Sequence, residues 1–246
     1  MPFFRFSAII ILSSDLCAEL RGVAFLPKTL KDMVYHSILT DIMDHVYEPY
    51  QILNEQALVE KYQCSKSPVR EALLSLCKDS VLRSIPRCGY EVLPIMQEDV
   101  EQLLHIRYLL EGGLLQLCIG RLQGETMDAL VELDNALGSC KEDIWQYWDL
   151  NTKFHLELMR SANNPHALAE LTRICDRLKL AYAQLSRGKW SSRSVPYETA
   201  RHQAILSCLQ AHDLPGALEA LRIDLMCFSD VHCHIPRFFC LPEECP

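Results

Sequence analysis

The chain has 246 residues, 49% of them hydrophobic, and a formal net charge of −8. That apolar content suits one large core or two modest ones and excludes a chain disordered throughout. The acidic balance excludes indiscriminate coating of nucleic acid, but it is uneven: Lys61 to Arg87 holds six basic residues against two acidic ones, leaving the remainder at about −12.

In chain order, residues 1–27 come first, and their apolar run, Ala8 to Leu12, is far shorter than the roughly 20 residues that span a bilayer. The segment is also a poor match to a signal peptide, so it is expected to be an extension outside the folded unit, with Met33 as an alternative start. From Val34, the residues Ile38, Leu39, Ile42 and Val46 recur at helical spacing, and "EPYQ" breaks the pattern, which predicts a helix ending near Tyr47. A shorter helix is expected from Asn54, as N-cap, through Ala57, Leu58 and Tyr62.

After the turn "QCS", the run "SKSPVREALLSL" opens a third helix. Pro68 fits its first turn, where the missing N–H has no intrahelical partner to lose, and Ser65 or Ser67 can cap the free donors. Helix, tight turn and capped helix is the helix-turn-helix pattern, whose second helix offers its first residues to the major groove. "VLRSIP" and "YEVLPI" then flank Arg87-Cys88-Gly89 and predict two strands joined by a glycine-containing turn, a β-wing.

Beyond a boundary near residues 93–99 the pattern is helical. Leu103, Ile106, Leu110, Leu114 and Leu117 form one stripe, and others run from Met127 to Leu137, Ile144 to Met159, Leu168 to Leu185, Tyr197 to Leu209 and Leu214 to Phe228. The expected architecture is mainly α: a winged helix-turn-helix domain over 28–96, then an all-α bundle of six or more helices over 97–232. A cysteine-containing tail, 233–246, ends the chain. Twelve cysteines are scattered without framework spacing and read as reduced thiols, with Cys77, Cys118 and Cys208 at helix-core positions. Cys233, Cys240 and Cys245 cluster with His232 and His234 but lack a repeated C-x-x-C, so no metal site is expected there.

The segment from Leu53 to Ile95 resembles the winged helix-turn-helix of the GntR family of bacterial transcription regulators, whose signature is a Ser-Arg-Thr-Pro-Val-Arg-Glu-Ala-Leu run followed by an Arg-x-Gly wing. Ser65, Ser67, Pro68, Val69, Arg70, Glu71, Ala72, Leu73, Arg87 and Gly89 match it in order and spacing. The resemblance implies double-stranded operator DNA as partner, contacted by Gln56, Ser65, Lys66, Ser67, Arg70, Arg87 and Gly89. Three positions depart from the family: Gln63 stands where glycine is usual, Lys66 where arginine is, and Gln56 where arginine often is. Lysine keeps a phosphate contact but lacks the bidentate fork that reads guanine.

The helical remainder resembles the ligand-binding domain of the FadR-like branch of that family, called FCD, through "IRYLLEG", "LNTKFHLELMRSANNP" and "RHQAILSCLQAHDLPGALEALRIDL". Many members hold a divalent metal in the bundle, and the matching positions here are Asn151, His155, His202 and Asp224. Asn151 and His155, at i and i+4, share a helix face. This mixed N/O set suits Zn, Ni, Mn or Fe, and a carboxylate in place of the family's last histidine favours a harder ion. The resemblance further implies a small carboxylate effector held by the metal and Arg107, although Glu111 one turn on is an equally good partner for that arginine.

Together these imply a cytoplasmic, homodimeric, metabolite-responsive repressor that is neither an enzyme nor attached to a membrane. One alternative is a DNA-binding regulator whose bundle is structural and metal-free. A more distant one is a metal-dependent hydrolase built on His155, His202 and Asp224, but Thr152, Lys153 and Phe154 precede His155 where an H-E-x-x-H motif would supply a general base.

Overall fold

The computed structural model describes residues 29–140, 143–185, 200–226 and 235–236, which fall into two units divided between Pro94 and Ile95. The expected extension, the histidines and cysteines of the tail and the start of the stripe at Tyr197 lie outside the described residues.

In the first unit Thr29 accepts a hydrogen bond from the Asp32 N–H at 3.1 Å and caps α1, Leu30–Met43. Val34, Ile38 and Ile42 form its buried stripe, which packs on α3. The helix stops short of Tyr47 because His45 turns into the left-handed region at φ 58°, and the Val46 N–H closes on the Asp41 carbonyl at 2.8 Å. Val46 thereby leaves the apolar stripe and is exposed.

A two-residue strand, β1 at Ile52–Leu53, precedes α2, Glu55–Tyr62. The Asn54 side chain accepts from the N–H groups of Gln56 and Ala57, the cap that the sequence predicts. Gln63 ends α2 in the left-handed conformation at φ 51°, and α3, Lys66–Lys78, follows. α3 buries Val69, Ala72, Leu73 and Leu76, the i, i+3, i+4, i+7 face of an amphipathic helix. β2, Leu82–Ile85, and β3, Gly89–Val92, complete an antiparallel sheet of order β1-β3-β2, with Ile85 opposite Gly89 at the wing tip. β1 is absent from the sequence reading because two residues carry no periodicity.

The second unit is helical: α4 Gln97–Cys118, a 3-10 turn at Ile119–Arg121, α5 Glu125–Ser139, α6 Ile144–Arg160, α7 Pro165–Leu185, α8 Ala200–Gln210 and α9 Leu214–Met226. Acidic and amide side chains set the helix starts: Asp99 accepts from Met96 N, Asp143 from Trp145 N and Gln146 N, and Asn164 from Ala167 N. α4 packs against α6, α7 and α9, while α5 packs on α6 and α8. The core of Leu104, Tyr108, Leu115, Phe154, Leu158, Leu178, Ile205 and Leu221 surrounds five buried polar side chains, namely Arg107, Glu111, Asp134, His155 and His202. Among the described residues no helix is long and apolar enough to cross a membrane.

Candidate functional site

Gln56, Ser65, Lys66, Ser67, Arg70 and Arg87 are all exposed, and Gly89, in the pair that closes the wing turn, is half-buried. Two of the six basic residues of this segment are neutralised locally: Lys61 pairs with Asp41 at 2.7 Å, and Arg83 with Glu91 across the β2–β3 pair. Lys66, Arg70, Lys78 and Arg87 make no ion pair among the described residues, so positive charge concentrates on α3 and the wing tip. Ser65 is the N-cap of α3 by backbone geometry and makes no side-chain capping bond. The Ser67 hydroxyl donates to Glu71 at 2.8 Å, and Gln56 donates to Glu60 at 3.1 Å, so neither serine caps the helix.

Gly89 has φ 137°, and a Cβ there would lie 2.4 Å from the Leu53 carbonyl oxygen, so only glycine lets β3 approach β1 this closely. Arg87, at φ 65°, holds the wing turn in the left-handed region with its side chain exposed.

The buried polar residues of the second unit form one chain across five helices. Arg107 and Glu111, one turn apart on α4, pair at 2.5 Å, and the other Glu111 oxygen meets His155 Nδ1 on α6 at 2.7 Å. His155 Nε2 lies 3.1 Å from one oxygen of Asp224 on α9, and His202 Nε2 on α8 lies 4.0 Å from the other. His202 Nδ1 in turn stands 3.4 Å from Asp134 on α5. Phe154 stacks on the His202 ring with centroids 3.8 Å apart and fixes its plane.

The electrostatics follow from this packing. Burial alone would raise the pKa of Glu111, but Arg107 and His155 pull it below the usual carboxylate range. Asp224 is held down to about 2: burial opposes this, and the charge and hydrogen bonding of His155, with His202 and Arg107, outweigh it. Burial would depress His155, yet Glu111 and Asp224 raise it overall. Arg107 stays protonated because the neighbouring carboxylates outweigh its desolvation.

Not every polar atom of the cluster is satisfied. Arg107 Nη2, His155 Nε2, His202 Nδ1 and Asp134 Oδ1 are buried without an aligned hydrogen-bond partner, so the 3.1 Å and 3.4 Å approaches are proximity rather than good bonds. One ligand atom from each of His155, His202 and Asp224 lies within 4.8 Å of the others, so donors about 2 Å from a shared ion would have to draw closer together than they stand here. Three carboxylates against one guanidinium leave two negative charges in excess when both imidazoles are neutral, and these can be offset by a divalent cation or in part by a proton on His155, whose pKa is raised. Asn151, one turn before His155, is half-buried on the same helix face.

Asp134 is the site residue that sequence reasoning missed. Its signal was present, since an acidic residue stands at the register of the apolar stripe Met127, Leu130, Leu137 of α5.

Comparison with known proteins accords with both units. Residues 30–92 match the family described as bacterial regulatory proteins, gntR family, and residues 102–225 match the FCD domain. An uncharacterized HTH-type transcriptional regulator of Bacillus subtilis, YdhC, is 29% identical over 136 residues, 54% of this chain and only 60% of that protein. The HTH-type transcriptional repressor GlaR of Escherichia coli is 24% identical over 200 residues, covering 78% of this chain and 90% of that one. The structure of E. coli McbR/YncC superposes with a TM-score of 0.64 at 23% identity, over 80% of this chain and 93% of that chain, a likeness of fold. The chain therefore belongs to the GntR family of bacterial DNA-binding transcription regulators, in the branch whose second domain is an FCD domain.

Proposed function

We propose that the protein is a homodimeric repressor in the cytoplasm that binds one operator through α3 and the wing and leaves it when a small carboxylate enters the helical domain. The convergence of His155, His202 and Asp224, in a cluster that also holds a buried Arg107 Nη2 without a partner, is the observation that supports the sensing role. When bound, a divalent metal would supply Lewis-acid attraction for a carboxylate oxygen, held by His155, His202 and Asp224, with Asn151 as a further donor. The Arg107 guanidinium, anchored at Nε by Glu111, keeps Nη2 for the second oxygen of the effector. On the DNA side, Lys66, Ser65 and Ser67 serve phosphate at the start of α3, Gln56 and Arg70 face the groove, and Arg87 with Gly89 brings the wing to the backbone. The repressor role draws on GlaR, which is named as one. Selection of bound DNA fragments, followed by a screen of small carboxylates for release, tests the reading. Absence of sequence preference at moderate salt, with and without metal, would sink it.

A second reading is a metal-free, structural bundle. It is favoured by the position of Asp224 between two imidazoles, where protonated histidines would satisfy the same charge. Metal analysis of protein purified without chelators separates the two, since stoichiometric metal supports the sensor.

A further inference from the structure

Both imidazoles of the cluster turn the same way: Nδ1 faces a carboxylate from a second helix, and Nε2 faces Asp224. The two Nδ1 partners are Glu111 on α4 and Asp134 on α5, and neither belongs to the Asn151, His155, His202, Asp224 set. An ionised carboxylate only accepts, so the nitrogen facing it must carry the proton; in a neutral imidazole the other nitrogen then presents its lone pair. Where both imidazoles are neutral, two lone pairs and the Asp224 carboxylate converge and repel one another unless a cation lies between them. Glu111 is itself held by Arg107, and the stack on Phe154 fixes the plane of the His202 ring.

We propose that Glu111 and Asp134 are positioning residues of the metal centre, fixing the Nδ1–H tautomers of His155 and His202 so that both rings ligate a divalent cation through Nε2 together with Asp224. This inference rests on the metal reading above. The His155 bond to Glu111 is formed at 2.7 Å, and His202 Nδ1 stands 3.4 Å from Asp134, the carboxylate placed to hold it. Outer carboxylates of this kind orient the ring and raise its basicity, and their loss lowers metal affinity roughly 10–100-fold.

The test uses the full chain, stripped with chelator and titrated with Co(II), with affinity read by chelator competition and geometry by the visible ligand-field bands. Asp134→Ala should weaken Co(II) binding roughly 10–100-fold and alter those bands, and Asp134→Asn should fall between it and the parent, because its amide oxygen still accepts from Nδ1. Circular dichroism should show the helices retained in the Asn variant. Nitrogen chemical shifts of 15N-histidine in the Zn(II)-loaded parent protein should show Nε2 ligation of both rings, a reading that no variant needs to fold to provide. Unchanged Co(II) affinity in both variants, or Nδ1 ligation of either ring, overturns the positioning role while leaving the metal reading intact. A parent protein that takes up neither Co(II) nor Zn(II) overturns the metal reading, and this proposal with it.

Discussion

Arg70 and Lys66 stand one turn apart on the exposed side of α3 but differ in what they can recognise. Guanidinium offers a planar fork that fits guanine or phosphate, while ammonium offers a point charge. Arg70→Ala should therefore weaken operator binding by about 1–3 kcal/mol and relax preference at one base position. Lys66→Ala should weaken all sequences alike and reduce the salt slope by about one; fluorescence anisotropy across a salt series distinguishes these outcomes. Cysteine chemistry is decided by burial. Cys118 and Cys175 are pushed up to about 11 as burial disfavours the thiolate, so roughly one thiol in a thousand is ionised at pH 8, whereas Cys88 is exposed on the wing. Brief iodoacetamide treatment of native protein should label Cys88 and spare Cys118 and Cys175, as peptide mass mapping would show. Their labelling at equal rates would contradict the buried placement.

At the scale of elements, helix interiors were legible and helix ends were less so. The stripe Val34, Ile38, Ile42 predicts α1, but its end at Met43 depends on His45 entering the left-handed region, which no periodicity announces. Gln63, where the family favours glycine, takes the conformation glycine would take, φ 51°, and so keeps the turn between α2 and α3. A left-handed non-glycine residue costs about 1–2 kcal/mol, and glycine's extra freedom in the unfolded chain returns about 0.4–1 of that, so Gln63→Gly should stabilise the protein by ~0.5–1 kcal/mol. The opposite sign is expected at the wing. Gly89→Ala combines φ 137° with a 2.4 Å approach to the Leu53 carbonyl and should destabilise the first unit by about 1–3 kcal/mol. Urea denaturation of both variants checks the pair of signs, and a neutral Gly89→Ala would mean that β1 can move away from the wing.

For the molecule as a whole, metal binding should act on one unit. A cation held by His155, His202 and Asp224 joins α6, α8 and α9, so at a concentration 100 times its dissociation constant it adds about 2.7 kcal/mol to the stability of the helical unit. Calorimetry of stripped and loaded protein should show one transition moving upward and the winged unit's transition unmoved. The legible part of the site was also local: Asn151 with His155, and Arg107 with Glu111, are spaced for one helix face, and the S-K-S-P-V-R run marks the start of α3 whatever surrounds it. Apolar period, capping residues and the proline at the head of α3 act over a few residues through hydrogen bonding and sterics, so the sequence by itself determined the mainly helical class, the winged helix-turn-helix and most helix spans. The resemblance to the FCD domain had already grouped His155, His202 and Asp224; the tertiary structure alone decided the short β1 pairing, the distances at which those three stand, and the place of Asp134 beside His202. Those contacts join residues far apart in the chain, and which atoms meet there depends on the packing of α4, α5, α6, α8 and α9 against one another, which no local pattern encodes.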